Sequence, residues 1–555
     1  MELRKSAKTS TLQEAIQKFP HVRAAVKKIT EREGEPEYYM ELDSSMKKTM
    51  KFPNLIYPVG DPLFIHVLRK RGGHTEYNII QPIMSAEDKI LYNKIMDKIV
   101  SIAHTLPVPE KITQMDTVLN KLFSMVTTVG GSEKAGLLTR FETKIHLTKE
   151  RAELLKYYLI RNRVGYARLD PLFKDPYLED IHCTGVGQVK AVHKIFGMVF
   201  TNIVFVDDND INSYILETTE RVERPASDAK SIVDAIMPDG SRANFIYGRD
   251  VSLEGSSFTL RKFAEVPISI TQIIFWGTMS SELAAYIWLA VENGMNLFVC
   301  GETASGKTTT LNAISVFIKP DSKVYTVENT PEVKMPHDVW QHLLTRESGG
   351  KSSDITYIDL LIAALRSRPN YIIVGEIRGE EGNIAFQAMQ TGHPVMSTFH
   401  AGNVTTVVQR LTGHPISIPI TFIDNLNVVI IQSAVSRGEH YVRRVLSLTE
   451  LERYYAPADK MITRQVFDWS PKKDVHVFRG LFNSYVLENK IARILGYQNT
   501  RDIYKDMDLR RKILDKMVEN QIFNYFDVWE IIKKFRADGV EALPFKLAED
   551  VKEEA

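Results

Sequence analysis

Two cysteines in 555 residues, Cys183 and Cys300, are by themselves too few for a disulfide framework or a four-thiolate zinc site, and they point to a reducing interior. Charge excess is equally scarce. Seventy Lys+Arg stand against 69 Asp+Glu, leaving +1, so no overall field favours nucleic acid or an anionic membrane. Long uncharged apolar runs are missing too: the greasiest segment, Leu283 to Cys300, contains Glu292 and Asn293, so no membrane-spanning helix is expected. The opening Met-Glu-Leu-Arg-Lys has no apolar stretch behind it, and a secretory signal is not expected. Internal repeats and low-complexity tracts are absent. What remains, at 44% hydrophobic and 25% charged, is the composition of globular domains, and the length allows two large units or three to four smaller ones.

Residues 1–33 hold eight basic residues against four acidic ones, with Leu12, Ala15, Ile16 and Phe19 at helical spacing. This predicts a basic, flexible N-terminal arm, taken to residue 45, that carries one short amphipathic helix. From 46 to 264, β-like runs such as Val199 to Val206 mix with amphipathic stretches such as Lys149 to Arg161, as in an α+β domain with a helical subdomain before residue 150. Glu265-Val266-Pro267-Ile268-Ser269-Ile270-Thr271 reads as a linker, because proline interrupts helices and extends the residue before it. Beyond it, in 272–555, the pattern predicts a long helix from Thr271 to Asn293 ending at Gly294. Short strands then alternate with helices: Asn296 to Cys300, Lys323 to Glu328, Tyr371 to Gly375, Pro394 to Phe399 and Asn427 to Gln432. That is the signature of a parallel α/β sheet.

Gly301-Glu302-Thr303-Ala304-Ser305-Gly306-Lys307-Thr308 fits G-x-x-x-x-G-K-[ST], after a predicted strand and before a helical run from Thr309. Such a loop turns backbone N–H groups onto phosphate, aims a helix N-terminus at it, brings Lys307 to the β/γ-phosphates of ATP and offers Thr308 to Mg²⁺. The strand Tyr371 to Gly375 delivers Glu376 to the same crevice, as a carboxylate that polarises water or helps hold Mg²⁺. Glu328 ends another strand, with Glu332 just beyond, and both are candidates for orienting the attacking water. His393, Thr398 and His400 bracket the strand Pro394 to Phe399, where a histidine at the tip can sense the γ-phosphate.

These segments, together with Val327-Glu328-Asn329-Thr330-Pro331-Glu332 and Thr391-Gly392-His393-Pro394-Val395-Met396-Ser397-Thr398-Phe399-His400-Ala401, resemble the secretion ATPase superfamily of type II secretion and type IV pili. They correspond in order to its Walker A, Asp box, Walker B and His box. Phe386 to His393 and Ile423 to Val429 look most like the archaellum motor ATPase. The resemblance runs from roughly Ile181 to Phe482. It implies a RecA-like core behind a separate N-terminal domain, a homohexameric ring, and a cytoplasmic ATPase peripheral at the membrane. Such a ring powers a filament through a polytopic membrane platform protein and accessory motor proteins. The family's segments facing nucleotide across subunits match Arg242 and Arg261, with Arg249 a weaker third; Arg366, Arg368 and Arg378 surround the Walker B strand. Two departures stand out. Asn329 replaces the Asp box aspartate, which places that box's chemistry on Glu328, and the tetracysteine zinc site of the pilus-extension branch is missing.

Three alternatives stay open at this point. An archaeal type IV pilus assembly or type II secretion ATPase shares every motif above. A nucleotide-sensing scaffold is disfavoured by the presence of Lys307, Glu328 and Glu376 together. A nucleic-acid translocase is disfavoured by the near-zero net charge.

Overall fold

The computed structural model describes residues 11–43, 46–107, 112–130, 144–262, 266–346, 354–437 and 440–547. Residues 1–10, 44 and 45 of the expected arm and Glu265 of the expected linker lie outside them. The chain divides into two compact units, Met1–Phe263 and Ala264–Ala555.

The first unit is built on a ten-stranded, mostly antiparallel sheet. Its strands run in the order Glu37–Tyr38, Asn54–Gly60, Leu63–Arg69, Thr75–Ile80, Gly197–Phe205, Gly187–His193, Leu178–Cys183, Ser257–Arg261, Arg242–Ile246, Ile232–Ile236. The early strands are buried almost throughout because both faces are covered. Leu55, Tyr57, Val59, Ile65 and Val67 face the main core, while Ile56 and Phe64, one residue out of phase, meet Ala15, Val22 and Val26. The arm expected to be flexible is therefore packed from Leu12 on. Leu12–Lys18 and Pro20–Glu33 are helices whose apolar stripes cover one sheet face, leaving Lys27, Lys28 and Arg32 outward. A separate helical cluster joins Ala86–Ile102 and Ile112–Val126 to Lys149–Arg163 through Ile95, Ile99, Leu122, Phe123, Leu155 and Leu159.

The second unit carries a nine-stranded sheet in the order Trp340–Leu344, Val324–Glu328, Tyr371–Ile377, Val395–Phe399, Leu297–Gly301, Val428–Arg437, His440–Tyr455, Lys460–Ser470, Val475–Phe478. The first six are mutually parallel and the last three join as an antiparallel meander. Asn296 is not the first strand residue but a clamp. Its Oδ1 accepts from Val395 N (2.7 Å), its Nδ2 donates to Asn425 O (2.7 Å) and its N–H donates to Asn427 Oδ1 (2.9 Å), which aligns three neighbouring strand starts. The expected helix Thr271 to Asn293 is two helices, Ile270–Phe275 and Ser281–Glu292. Gly277 takes a left-handed φ of 71°, and the Ser280 side chain caps the second helix by accepting from Leu283 N. That second helix is apolar and buried without a break from Leu283 to Val291, packed between the sheet and C-terminal helices such as Ile503–Glu519.

Candidate active site

All five residues of Leu297–Gly301 are buried, and the strand must end on glycine: a Cβ on Gly301 would lie 2.2 Å from the Gln432 carbonyl oxygen. The chain then passes through exposed Glu302, Thr303 and Ala304 and re-enters at Gly306, whose φ of 92° opens the helix Lys307–Ile314. Ser305 Oγ tightens the turn by donating to Glu302 O (2.8 Å). Gly306 has no side chain to cap the helix, so the first-turn amides, including those of Lys307, Thr308 and Thr309, get no side-chain acceptor. An N-terminus of this kind, with its dipole, suits an anion. Lys307, only 9% exposed, donates from Nζ to Glu302 O (3.0 Å) and lies 3.4 Å from His400 Nδ1. Burial pushes its pKa down, opposed by the nearby Glu376 carboxylate.

Glu376 sits near the end of Tyr371–Ile377, half-buried. Its Oε2 accepts from Arg378 Nη2 (2.6 Å), and its Oε1 lies 2.7 Å from His400 Nε2. His400 follows directly on Val395–Phe399, and Arg410 holds its carbonyl. Burial lowers the His400 pKa, with Lys307 adding to the effect and Glu376 opposing it, so the ring is neutral at pH 7. With Lys307 donating to Nδ1, the proton sits on Nε2, toward Glu376. Lys307, His400, Glu376 and Arg378 thus form one continuous chain of contacts.

Glu328 is nearby on Val324–Glu328 but differently committed. At 2% exposure its Oε1 accepts from Glu332 N and Val333 N (both 3.0 Å), and its Oε2 pairs with His342 Nε2 (2.8 Å). Burial raises its pKa against the pull of His342. Gly375 allows this approach, since a Cβ there would meet Glu328 Cγ at 3.0 Å. Asn329 accepts through Oδ1 from Thr345 Oγ1 (2.7 Å) and donates its N–H to the Tyr357 hydroxyl (3.1 Å).

The structure brings Gly301 to Thr309, Lys307, Glu376 and His400 together, with Thr398 donating to Gly375 O (2.7 Å). It does not bring in His393, which lies at the other end of its strand against Thr391. Arg366 and Arg368 likewise precede Tyr371–Ile377, at the end opposite Arg378. Arg242 and Arg261 belong to the first unit, where they are direct cross-strand partners, and Arg261 Nε reaches Asp180 Oδ1 at 3.0 Å. Arg249 pairs with Asp208 (2.8 Å). The sequence reading missed His342, Arg443 and Gln432. Gln432 left one trace, a lone amide ending the apolar run Val428-Val429-Ile430-Ile431 beside the P-loop strand.

Residues 190–465 match the family model described as type II/IV secretion system protein. Over 545 residues, 97% of this chain and 98% of the other, the sequence is 50% identical to the uncharacterized protein MJ0900 of Methanocaldococcus jannaschii. Residues 190–465 belong to the type II/IV secretion system protein family. Within it, the chain is 38% identical over 130 residues to the type IV secretion system protein PtlH of Bordetella pertussis, covering 23% of this chain and 38% of that one. Among solved structures, the Legionella pneumophila ATPase DotB is similar at a TM-score of 0.37 and 17% identity, over 65% of this chain and 92% of that chain. Among the described residues no helix is long and apolar enough to cross a membrane.

Proposed function

We propose that this chain is an ATP-hydrolysing motor that assembles or rotates an archaeal type IV pilus-like filament, the archaellum. It would act as a homohexamer of RecA-like cores, peripheral at the cytoplasmic membrane, through a polytopic platform protein and accessory motor proteins. The observation that carries the nucleotide reading is the contact chain from the P-loop through Lys307 and His400 to Glu376 and Arg378.

The residues present fit ATP with Mg²⁺. Gly306 leaves the cradle open, Thr308 is half-buried in the first helical turn, and Glu376 stands at a strand end. Among the described residues no cluster of three or more His, Cys, Asp or Glu groups can hold a metal alone, so Thr308, and Glu376 through water, would hold Mg²⁺ jointly with the phosphates. When bound, that ion neutralises charge on the β- and γ-phosphate oxygens. Lys307 adds a cation desolvated enough to favour an anionic partner. Neutral His400 presents one donor and one acceptor, so it can pass a change at the γ-phosphate to Glu376. Glu328, with a raised pKa, is the candidate base for the attacking water.

Arg242 and Arg261 are proposed to act on nucleotide held by a neighbouring copy. Mixing Glu376→Gln chains with Arg261→Ala chains should then restore part of the activity that each lacks alone. The motor reading is tested by steady-state phosphate release from the purified chain, and the archaellum reading by deletion scored separately for filaments and swimming. A second reading, a type IV pilus assembly or type II secretion ATPase, is favoured by the match of residues 190–465 to the type II/IV secretion system protein model. It is the outcome if filaments other than archaella, or secretion, fail while swimming persists.

A further inference from the structure

The strand Val428–Arg437 runs parallel to the P-loop strand, with Gln432 in register with Gly301. Gln432 is 2% exposed, and both ends of its side chain are spent on the loop. Its Nε2 donates to Ser305 O (2.8 Å), and its Oε1 accepts from Thr310 Oγ1 (2.7 Å), so one amide spans the loop and the first turn of the following helix. The orientation of that amide is fixed, because the Ser305 carbonyl requires a donor. On the other side of the hairpin, Arg443 Nε donates to Ala304 O (3.3 Å). The loop is pressed against this support: a Cβ on Gly306 would fall 3.0 Å from Gln432 Nε2 and 3.3 Å from Arg443 Cδ. The pairing of Val428–Arg437 with His440–Tyr455 shifts register between Ile431 and Gln432, the kind of irregularity that re-aims a side chain.

A trans peptide is planar, with C=O and the following N–H pointing in opposite directions. Holding Ser305 O toward Gln432 therefore turns the Gly306 N–H away from the strand, to the side where an anion at the helix start would lie. Ala304, held in a left-handed conformation at φ 62° that its Cβ disfavours, is kept there by its neighbours, Arg443 among them.

We propose that Gln432 is a positioning residue that sets the aim of the P-loop amides toward a nucleoside polyphosphate, with Arg443 supporting the same loop from outside. This rests on the reading of Gly301 to Thr308 as a phosphate cradle. Loss of the Ser305 bond weakens ground state and transition state alike, so KM moves and kcat moves less.

The test measures binding of a fluorescent ATP analogue, KM, kcat and apo Tm on the full chain. Gln432→Met, of similar length and without polar ends, is expected to weaken ATP binding and raise KM about tenfold, one hydrogen bond's worth. Its apo Tm should stay within a few degrees of the parent. Thr310→Val should weaken binding less, and Thr310→Ser should bind as the parent does. Gln432→Glu supplies a signature that a purely structural role would not give. Its carboxyl can donate to Ser305 O only when protonated, so its affinity relative to the parent should recover as pH falls. Parent-like affinity and KM in Gln432→Met overturn the positioning role alone. Should that variant not fold, a pH-independent affinity ratio for Gln432→Glu overturns it. A folded parent chain that fails to bind the analogue, with Lys307→Ala no different, overturns the cradle reading as well.

Discussion

Lys307→Met separates what the lysine costs the empty protein from what it gives the nucleotide complex. In the structure the ammonium is 9% exposed and has one firm partner, the Glu302 carbonyl at 3.0 Å, with His400 Nδ1 more distant at 3.4 Å. Burial opposes its charge, as the lowered pKa records. Exchanging such a charge for an apolar side chain of similar volume is commonly neutral or stabilising. Glu302 is exposed, so its carbonyl can turn to water, and Glu376 keeps Arg378. The empty variant should therefore melt no lower than the parent. With nucleotide the balance reverses, because a charge-assisted contact to phosphate contributes about 1.5–3 kcal/mol, which is roughly 10- to 150-fold in affinity. Differential scanning calorimetry without ligand, paired with titration of a non-hydrolysable ATP analogue, reads both arms. A fall of several degrees in the empty protein would mean the ammonium braces the loop. Unchanged affinity would mean phosphate does not bind at Lys307.

The strands best read from sequence are those buried on both faces. Leu297–Gly301, Val324–Glu328 and Val395–Phe399 are short, largely apolar segments buried at every position, as expected of a parallel sheet covered on both sides. The meander beyond Arg437 was not legible. Lys460–Ser470 fully buries only Val466 and Phe467 and is diluted by Lys, Arg and Asp, Val475–Phe478 alternates exposed and half-buried positions over only four residues, and the pairing of both is set by partners at the edge of the sheet. Trp340–Leu344 was missed for a similar reason: only one side of it is paired, and none of its residues is fully buried. The helix break at Gly277 and Ser280 was visible in principle, since glycine followed by a serine cap is a stop and a start. It was overridden by the continuous apolar content around it.

Site residues divide along the same line. The P-loop is a local motif, with its turn, its glycines and its lysine within eight consecutive residues, and the helix after it starts at Lys307, two residues before the expected Thr309. Glu376 and His400 followed from one rule, that polar residues at the C-terminal ends of parallel strands share a crevice. His342 and Gln432 obey no local rule. Each is defined by a contact to a residue 14 or 127 positions away, and only the strand order brings those partners together. The failure at His393 is instructive, because it and His400 flank the same strand and only the direction of that strand tells which one reaches Lys307.

Glu376→Gln should bind ATP with near-parental affinity while phosphate release collapses, and its His400 pKa, followed by NMR, should fall further because the carboxylate that favours protonation is gone. Burial holds His66, His193 and His337 near pKa 4 against about 6.5 in the unfolded chain. Their contribution is therefore complete above pH 6.5 and lost as pH falls toward 4, at about 3 kcal/mol each, so the apo Tm should drop steeply over that window. A Tm flat from pH 7 to 4 would contradict it. Glu328→Gln tests the remaining ambiguity, whether that carboxylate acts on water or only ties down its own loop. Gln keeps an oxygen for Glu332 N and Val333 N, and His342 can switch tautomer to accept from the new amide, so the fold should survive with Tm nearly unchanged. A general base contributes typically 10²–10⁴-fold, so turnover should fall by at least about a hundredfold while ATP binding persists. Turnover within tenfold of the parent would leave Glu328 with the loop alone, since a residue that only holds the amides of Glu332 and Val333 is replaced adequately by the amide oxygen.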